Sequence, residues 1–182
     1  MEYLDIVDEQ GQPTGEIVSR TLAHTKGIRH RTAHIWIVRR ENEHFQVLMQ
    51  KRAISKDSFP GKYDTSSAGH IQAGDEPLAS GLRELAEELG LHAKPEDLAF
   101  AGCIHGNFAE EFHGKIFRDN EIAFVYVYQQ PVDIETLVLQ KEEVESVQWF
   151  DLEETYRNCR NRNTQFCAPV PGLEVVRQYL YS

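Results

Sequence analysis

Hydrophobic and polar positions alternate with a period of two in several segments of this chain, and that period predicts strands. Two strands joined by the polar turn ENE are predicted at HRTAHIWIVRR and HFQVLMQKR. Further strands are predicted at MEYLDIVDE, LAFAGCIHGNF, KIFRDNEIAFVYVYQQ and VESVQWFDL. A turn is predicted at QGQPTG, and a long loop at SKDSFPGKYDTSSAG.

A helical period is clearest from about Pro77 to Leu89. Leucines recur there at helical spacing and form one apolar stripe, at Leu78, Leu82, Leu85 and Leu89. Proline is tolerated in a first turn, Asp75 or Glu76 can cap the helix, and Gly90 is a natural terminator. Shorter helices are predicted at SRTLAHTKG, which Ser19 would cap and Gly27 would end, and at EETYRNCRN and LEVVRQYLYS.

The order of these elements is strands, one helix, more strands and final helices, which predicts an α+β fold. An αβα sandwich with a mixed β-sheet satisfies that order better than a doubly wound parallel sheet. The 182 residues suit one domain, 1–182, with an N-terminal strand and helix extension over about 1–29 and C-terminal helices over about 151–182.

Composition narrows the classes of function. The net charge of −10 argues against binding a nucleic acid polymer, because phosphate neutralisation requires clustered lysine and arginine. No apolar segment is long enough to span a membrane, and the acidic start does not resemble a signal peptide. Three cysteines without regular spacing are expected to be reduced thiols, so a cytoplasmic location is expected.

Three carboxylates lie close together on the predicted helix, at Glu84, Glu87 and Glu88. Like charges at i, i+4 destabilise a helix by roughly 0.2–0.5 kcal/mol per pair, and Arg83 alone cannot neutralise all three. A solvated acidic face is one interpretation. A site for Mg²⁺ or Mn²⁺ is the other, since both ions prefer carboxylate oxygens and bind phosphate oxygens at their open positions.

The spacing around these glutamates resembles the Nudix box, in which Gly, five residues, Glu and seven residues precede Arg-Glu-hydrophobic-any-Glu-Glu-any-Gly-hydrophobic. Gly69 opens the motif here, and RELAEELGL closes it from Arg83 to Leu91. Every position matches except Asp75, which replaces the first glutamate; the adjacent Glu76 is a candidate substitute.

This resemblance implies an αβα sandwich that hydrolyses a diphosphate joined to another group. It implies that Glu84, Glu87 and Glu88 bind Mg²⁺ or Mn²⁺, that Arg83 orients a glutamate through a bidentate contact, and that Gly69 keeps the loop close to the metal and offers its carbonyl. The expected partner is a small-molecule diphosphate, with a nucleotide as the leading candidate. The oligomeric state, a homodimer included, stays open.

Segments outside the box resemble the isopentenyl diphosphate isomerase branch of this superfamily, over roughly residues 3–150. They are HRTAHIWIV, KRAISKDSFPGKYDTSSAGHI and DNEIAFVYV. In those isomerases a cysteine transfers a proton at the place of Ala68, which has no acid-base group. The isomerases also have a degraded Nudix helix, whereas this chain keeps all three glutamates. Both departures favour hydrolysis.

The same resemblance implies a second metal site. His30 and His70 match two metal-binding histidines of the isomerases, His24 matches a third after a shift of one residue, and Asp119 and Glu121 match the two acids. Isolated histidines are more often structural or surface groups. Glu121 is also a candidate catalytic base, or an exposed carboxylate at the start of a strand.

Two cations, Arg52 and Lys56, match isomerase positions that hold a diphosphate, and solvated surface charge is the alternative. Aromatic residues that could stack on a ligand, but are expected mostly in the core, are Trp36, Tyr63, Phe108 and Phe112. Rival candidates for the base are Glu142, Glu143 and Glu145. Three functions therefore stay open: a metal-dependent hydrolase, which is favoured, an isomerase, and a Nudix domain that binds a ligand without turnover.

Overall fold

A seven-stranded sheet forms the centre of the protein in a computed structural model that describes all residues from Met1 to Ser182. The strands are β1 (Tyr3–Val7), β2 (Pro13–Ser19), β3 (His30–Glu41), β4 (His44–Arg52), β5 (Tyr63–Asp64), β6 (Ser67–His70), β7 (Leu98–Phe112), β8 (Lys115–Tyr128) and β9 (Val144–Asp151). The helices are α1 (Arg20–Lys26), α2 (Pro77–Leu89), α3 (Leu152–Arg160) and α4 (Val170–Tyr181), and short 3₁₀ turns cover Pro95–Asp97 and Ile134–Thr136.

The sheet is mixed, as the sequence predicts. Its strand order is β5-β4-β3-β8-β7, with β6 paired to β3 and β9 paired to β4. β3 and β8 run parallel, and the remaining pairs are antiparallel. The parallel register sets His30 opposite Glu121, so two candidate site residues meet at one end of the central strands.

Helices cover both faces of the sheet and make it an αβα sandwich. Successive residues of a strand point to opposite faces, and β3 serves both cores in this way. Ile35 packs in one core with Leu85 and Leu89 of α2, whereas Trp36 packs in the other with Leu173 of α4. The predicted α+β architecture is confirmed, and no helix is both long and apolar enough to cross a membrane.

Helix α2 has the predicted bounds, from Pro77 to Leu89. Gly90 follows in the left-handed region at φ 64°, which a glycine adopts without a steric penalty. The expected side-chain cap is absent: Glu76 is the N-cap residue but its carboxylate accepts no hydrogen bond there. Pro77 at the first helical position has no N–H, so one of the donors that a cap would satisfy does not exist.

Two predictions about irregular segments hold for only part of their length: residues 9–11 form a turn and residues 53–62 form a loop. The expected long loop contains β5 and β6, and the expected turn at QGQPTG gives way to β2 at Pro13. These short strands carry no alternating pattern of their own. Their backbones pair with longer neighbours, β5 with β4, β6 with β3 and β2 with β1, so tertiary pairing decides their conformation.

An N-terminal unit of β1, β2 and α1 packs beside the sheet. The Ser19 hydroxyl accepts a hydrogen bond from the Leu22 N–H, and α1 ends at Gly27 with φ 71°, both as predicted. A small core of Leu4, Val18 and Ala23 holds the unit together. The next residue, His24, is nearly buried, and α1 brings it towards β8.

Candidate active site

A polar cavity of about 800 Å³ lies between α2, the loop after β4 and the β7–β8 hairpin. Only five of its 30 lining residues are hydrophobic. The predicted site residues that line it are Arg52, Lys56, Gly69, His24, His70, Arg83, Glu84, Glu87, Glu88, Asp119 and Glu121. His30 lies directly behind this lining and is fully buried. The fold thus brings together the proposed metal-binding and diphosphate-binding residues, which come from distant parts of the sequence.

Glu88 is buried and held by three donors. One of its carboxylate oxygens, Oε2, accepts hydrogen bonds from the Gln50 amide at 3.0 Å, the Ser67 hydroxyl at 2.7 Å and the Ala68 N–H at 3.3 Å. Burial raises the pKa of Glu88 to about 7 although these hydrogen bonds and Lys56 lower it. A solvated acidic face therefore does not describe this residue.

Glu84 lies against the backbone of Gly69. A Cβ atom built on Gly69 would overlap the Glu84 carboxylate, so only glycine leaves room for that group. Burial, and then the neighbouring charge of Glu88, raise the pKa of Glu84 to about 7, while Arg83 opposes the shift. Two carboxyl groups with raised pKa values thus face one cavity, which is typical of functional sites.

Arg83 pairs with the carboxylates of both Glu84 and Glu87 through one nitrogen. Its Nη1 lies 2.9 Å from an oxygen of Glu84 and 3.3 Å from one of Glu87, and its Nη2 donates to the His70 carbonyl at 3.1 Å. The predicted bidentate contact is wrong, because the His70 carbonyl occupies the second guanidinium nitrogen. Arg83 instead ties the helix to the strand that carries Gly69.

Three histidine rings converge beside these carboxylates. The Nε2 atoms of His24 and His70 are 3.0 Å apart, and the ligand atoms of His24, His30 and His70 all lie within 4.8 Å of one another. The Nδ1 atoms of His24 and His30 lie against the carbonyls of Arg118 and Ile28, at 3.2 and 2.9 Å. Burial lowers the pKa of all three, of His24 to about 4, so the rings are neutral at physiological pH.

Asp119 and Glu121 complete this cluster from the interior of β8. The Asp119 Oδ1 lies 3.6 Å from both His24 Nδ1 and His30 Nε2. Burial, then repulsion from Glu121, raise the pKa of Asp119 to about 8. Glu121 is not at the start of a strand and is nearly buried, which corrects the prediction; β8 begins six residues earlier because its hairpin with β7 extends the pairing.

His34 pairs with Glu121, and the sequence analysis missed it. Its Nε2 lies 3.4 Å from the Glu121 carboxylate. Burial raises the pKa of Glu121, but the hydrogen bond and charge of His34 outweigh that effect and the pKa is lowered. The signal was present, because His30, Thr32 and His34 alternate with a period of two and therefore share a face of β3. Gln50, a buried polar residue directly after the apolar run Val47, Leu48 and Met49, was missed in the same way.

Arg52 and Lys56 are partly buried at the cavity, with side chains 16% and 19% exposed. Arg52 donates to Asp64 at 3.1 Å and to the carbonyl and hydroxyl oxygens of Ser58. Lys56 forms an ion pair with Glu143 across the cavity. Neither is solvated surface charge, and each already has a partner within the protein.

The remaining candidate residues, aromatic and acidic, lie in different parts of the fold. Trp36 is fully buried and Tyr63 packs on the same core, as expected. Phe108 and Phe112 belong to no core cluster, so that expectation is wrong for them; both lie near the end of β7 in the β7–β8 hairpin. Of the rival bases, Glu142 and Glu143 line the cavity, whereas Glu145 pairs with Lys51 elsewhere. The acids at positions 75 and 76 do not line it.

Comparison with known proteins defines the class. Residues 28–166 match the NUDIX domain family model. The chain therefore belongs to the Nudix hydrolases and is a pyrophosphohydrolase of the Nudix type, a class that generally needs a divalent metal ion.

Individual relatives in the comparison are also Nudix hydrolases. An uncharacterized Nudix hydrolase of Clostridium acetobutylicum, CA_C0446, is 40% identical over 88% of this chain and 75% of its own length. Nudix hydrolase 3 of Arabidopsis thaliana is 40% identical over 92% of this chain but only 21% of its own length. The crystal structure of DR0079 from Deinococcus radiodurans shares the fold, with a TM-score of 0.68 over 98% of this chain and 99% of that one, at 18% identity.

The isomerase branch is represented too, at lower identity. The isopentenyl-diphosphate Delta-isomerase of Streptomyces avermitilis is 30% identical over 71% of this chain and 63% of its own length.

Proposed function

We propose that this protein hydrolyses a diphosphate linkage in a small metabolite, with a nucleotide as the leading candidate, and that it uses Mg²⁺ or Mn²⁺. The observation that carries the proposal is the pair of buried carboxylates, Glu84 and Glu88, one against the bare backbone of Gly69 and the other held by Gln50 and Ser67. Burying two carboxylates side by side is unfavourable unless a cation joins them, so the arrangement fits a metal site.

The donors present suit two metal positions. The first would be held by Glu84, Glu87 and Glu88, with the Gly69 carbonyl, an all-oxygen set that suits Mg²⁺ or Mn²⁺. The second would be held by three histidines and two acids, His24, His30, His70, Asp119 and Glu121. His30 Nε2 and Asp119 Oδ1 are buried without any hydrogen-bond partner, which supports a cation between them. This mixed set favours a first-row transition ion such as Mn²⁺ over Mg²⁺.

When bound, the metal ions neutralise phosphate oxygens and lower the pKa of water. The protein's own groups supply the rest. Arg52 and Lys56 hold the diphosphate by charge-assisted hydrogen bonds, and Arg83 keeps Glu84 and Glu87 in position. With only the first metal position filled, Glu121 accepts the proton of the attacking water from its place on the cavity wall. The water oxygen bonds to phosphorus as the bond to the leaving phosphate oxygen breaks.

An isomerase acting on prenyl diphosphates is the second candidate. The cluster of three histidines and two acids favours it, because those are the positions at which the chain resembles the isomerases. Ala68 argues against it, since a methyl group at the cavity wall transfers no proton. A Nudix domain that binds its ligand without turnover is the third candidate, and the paired carboxylates argue against it. The substrate is a small molecule in each case, and the three free thiols fit a cytoplasmic location.

A panel of metabolite diphosphates tests these candidates on one preparation. Phosphate release and prenyl interconversion are measured with Mg²⁺ and with Mn²⁺, for the wild type and for Glu88→Gln. We expect phosphate or pyrophosphate release from at least one nucleotide, abolished by Glu88→Gln. Release from no member of the panel, with measurable ligand binding, would instead support the binding domain.

A further inference from the structure

Five phenylalanines lie outside the protein's core clusters, and four of them, all but Phe100, contact one another. The chain has nine phenylalanines, and Phe59, Phe108, Phe112 and Phe117 belong to none of the three core clusters. They contact one another instead. The ring centroids are 4.7 Å apart for Phe59 and Phe112, 5.5 Å for Phe59 and Phe108, and 6.2 Å for Phe108 and Phe117. Core packing therefore does not explain them.

Three of these rings, Phe59, Phe108 and Phe117, line the polar cavity and are called here the aromatic wall. They supply most of the cavity's hydrophobic lining. Phe117 stacks on the ring of His24, with centroids 4.2 Å apart and planes 19° from parallel. The aromatic wall thus begins directly beside the histidine cluster.

Strand register places the aromatic wall on the same face as the acids. Phe117, Asp119 and Glu121 are at i, i+2 and i+4 of β8, so their side chains share one face of the hairpin. Phe108 lies opposite Asp119 across the β7–β8 pairing. At about 3.4 Å per residue, Glu121 and Phe117 are roughly 13 Å apart along the strand. One face therefore runs from an acidic end to an aromatic end.

The acidic end of this face has no side chain opposite it on β7. Gly106 lies opposite Glu121 in the register, and a Cβ built on it would be only 3.0 Å from the Glu121 Cγ. A larger residue on β7 would push the Glu121 side chain or fill the space over it. The absence of a side chain at this position leaves room for the Glu121 carboxylate at the cavity.

Phe59 adopts an unusual backbone conformation to take its place in the aromatic wall. Its φ is +46°, in the left-handed region that bulky residues avoid. Phe59 also precedes Pro60, and a residue before proline favours an extended backbone. Contacts on both sides of the loop hold it: the Phe112 ring packs against Phe59, and the His113 ring bonds to the Lys56 carbonyl at 2.9 Å. Strain that the surroundings maintain at a cavity is typical of ligand-contacting positions.

We propose that the aromatic wall binds the organic group of the substrate, while the diphosphate lies at the acidic end. This inference rests on the proposed function, in that it takes the ligand to be a diphosphate ester. Phenylalanine rings offer no hydrogen bonds and no charge, so they select an uncharged group with a flat or apolar surface. A nucleobase and a prenyl chain share that chemistry. Because every base has a stacking face, the aromatic wall does not read base identity.

Isothermal titration with non-hydrolysable probes tests the inference without relying on turnover. The probes are methylenediphosphonate, a nucleoside methylenediphosphonate and a prenyl methylenediphosphonate, each with Mg²⁺. For Phe108→Ala, we expect one or both substituted probes to bind about fivefold to a hundredfold more weakly, and methylenediphosphonate to bind as in the wild type. The matched control is Phe100→Ala on the same strand, whose ring is 55% exposed and lies outside the cavity. It should change none of the three affinities.

Phe108→Leu identifies the organic group, since it keeps an apolar side chain but removes the ring. If Phe108→Leu binds the nucleoside probe more weakly than the wild type does, the ring stacks on the base. If Phe108→Leu binds the prenyl probe as tightly as the wild type does, an apolar contact is sufficient for the prenyl chain. The inference is overturned if the wild type binds the substituted probes no more tightly than methylenediphosphonate, or if Phe108→Ala weakens all three equally. Thermal unfolding verifies that each variant is folded, and Phe59→Ala replaces Phe108→Ala if it is not. A wild type that prefers a substituted probe but cleaves no diphosphate would refute the proposed hydrolysis and leave the aromatic wall supported.

Discussion

Gly69 and Glu84 are in such close contact that no other residue type fits at position 69 without moving the carboxylate. The Cβ of any substitute would overlap the Glu84 carboxyl group, which Arg83 holds from the other side at 2.9 Å. Gly69 itself pairs with Ala33 in the β3–β6 ladder, so the strand cannot easily retreat. The carboxylate of Glu84 would have to shift instead.

Gly69→Ala should therefore impair metal binding while the fold survives. We expect at least about a tenfold loss in kcat/KM and a weaker apparent Mg²⁺ affinity, because a displaced metal ligand typically costs that much. Gly81→Ala in α2 is the matched control, since its new Cβ would meet the flexible Ile35 side chain at 3.4 Å. Titration of activity against Mg²⁺ measures both quantities. Equal kinetics for the two variants would show that Glu84 is not needed in its present position.

Glu87→Gln should abolish most turnover and leave stability nearly unchanged. The Glu87 side chain is 52% exposed and pairs only with Arg83, so its removal relieves repulsion with its neighbours as it removes one attraction. We expect a loss in kcat on the order of tenfold to a hundredfold. Glu154→Gln, an exposed glutamate in α3, is the control. Near-native turnover of Glu87→Gln at saturating Mg²⁺ would remove this residue from the metal site.

Glu88 should make the metal-free protein less stable as the pH rises. Its folded-state pKa is raised from 4.5 to about 7, so between those values the folded state holds more protons than the unfolded state and stability falls with pH. Relative to Glu88→Gln, the wild type should lose roughly 2–3 kcal/mol of unfolding free energy between pH 4.5 and pH 8. Denaturant unfolding in a chelator measures the difference. The histidines with lowered pKa values act in the opposite direction but are common to both proteins, and a difference independent of pH would contradict the raised pKa.

Arg52→Ala and Lys56→Ala should each lower kcat/KM by roughly tenfold to a hundredfold, if these cations hold the diphosphate. Metal affinity should hardly change, which separates them from the helix glutamates. Arg52→Ala should also lower the melting temperature, since the guanidinium bonds to Asp64 and Ser58. Arg52→Lys should restore little, because an ammonium group cannot reproduce these directed contacts.

Lys51→Ala provides the comparison for these two variants. Lys51 precedes Arg52 in β4 but pairs with Glu145 away from the cavity. Its loss should leave the kinetics unaltered. Efficiency that is unchanged in both Arg52→Ala and Lys56→Ala would mean that their contacts to Asp64 and Glu143 are purely structural.

The protein should not isomerise prenyl diphosphates. Ala68 lines the cavity beside Gly69 and offers no group to carry a proton. Deuterium incorporation into isopentenyl diphosphate in heavy water, followed by mass spectrometry, should stay at background. Deuterium incorporation by Ala68→Cys should also remain close to background, because the rest of the pocket must fit the prenyl chain as well. Incorporation at enzymatic rates by the wild type would reinstate the isomerase.

Local sequence patterns by themselves determine several helices and strands of this protein and its family motif. Helix α2 has the bounds that its leucine stripe, Pro77 and Gly90 predict, because those signals act within a few residues. The alternation in β3 and β4 likewise predicted both strands, and the glycine and glutamate spacing identified the family. Each of these features depends on residues that are neighbours along the chain.

Only the tertiary structure determines which of these residues contact one another. The environment of Glu88 depends on Gln50 and Ser67, which come from two different strands, so its burial and raised pKa have no local signal. β5 and β6 form because longer strands pair with them, and Phe108 lies at the cavity because the β7–β8 pairing sets it opposite Asp119. Desolvation of single groups and long-range pairing depend on the whole fold, and sequence periodicity alone does not determine them.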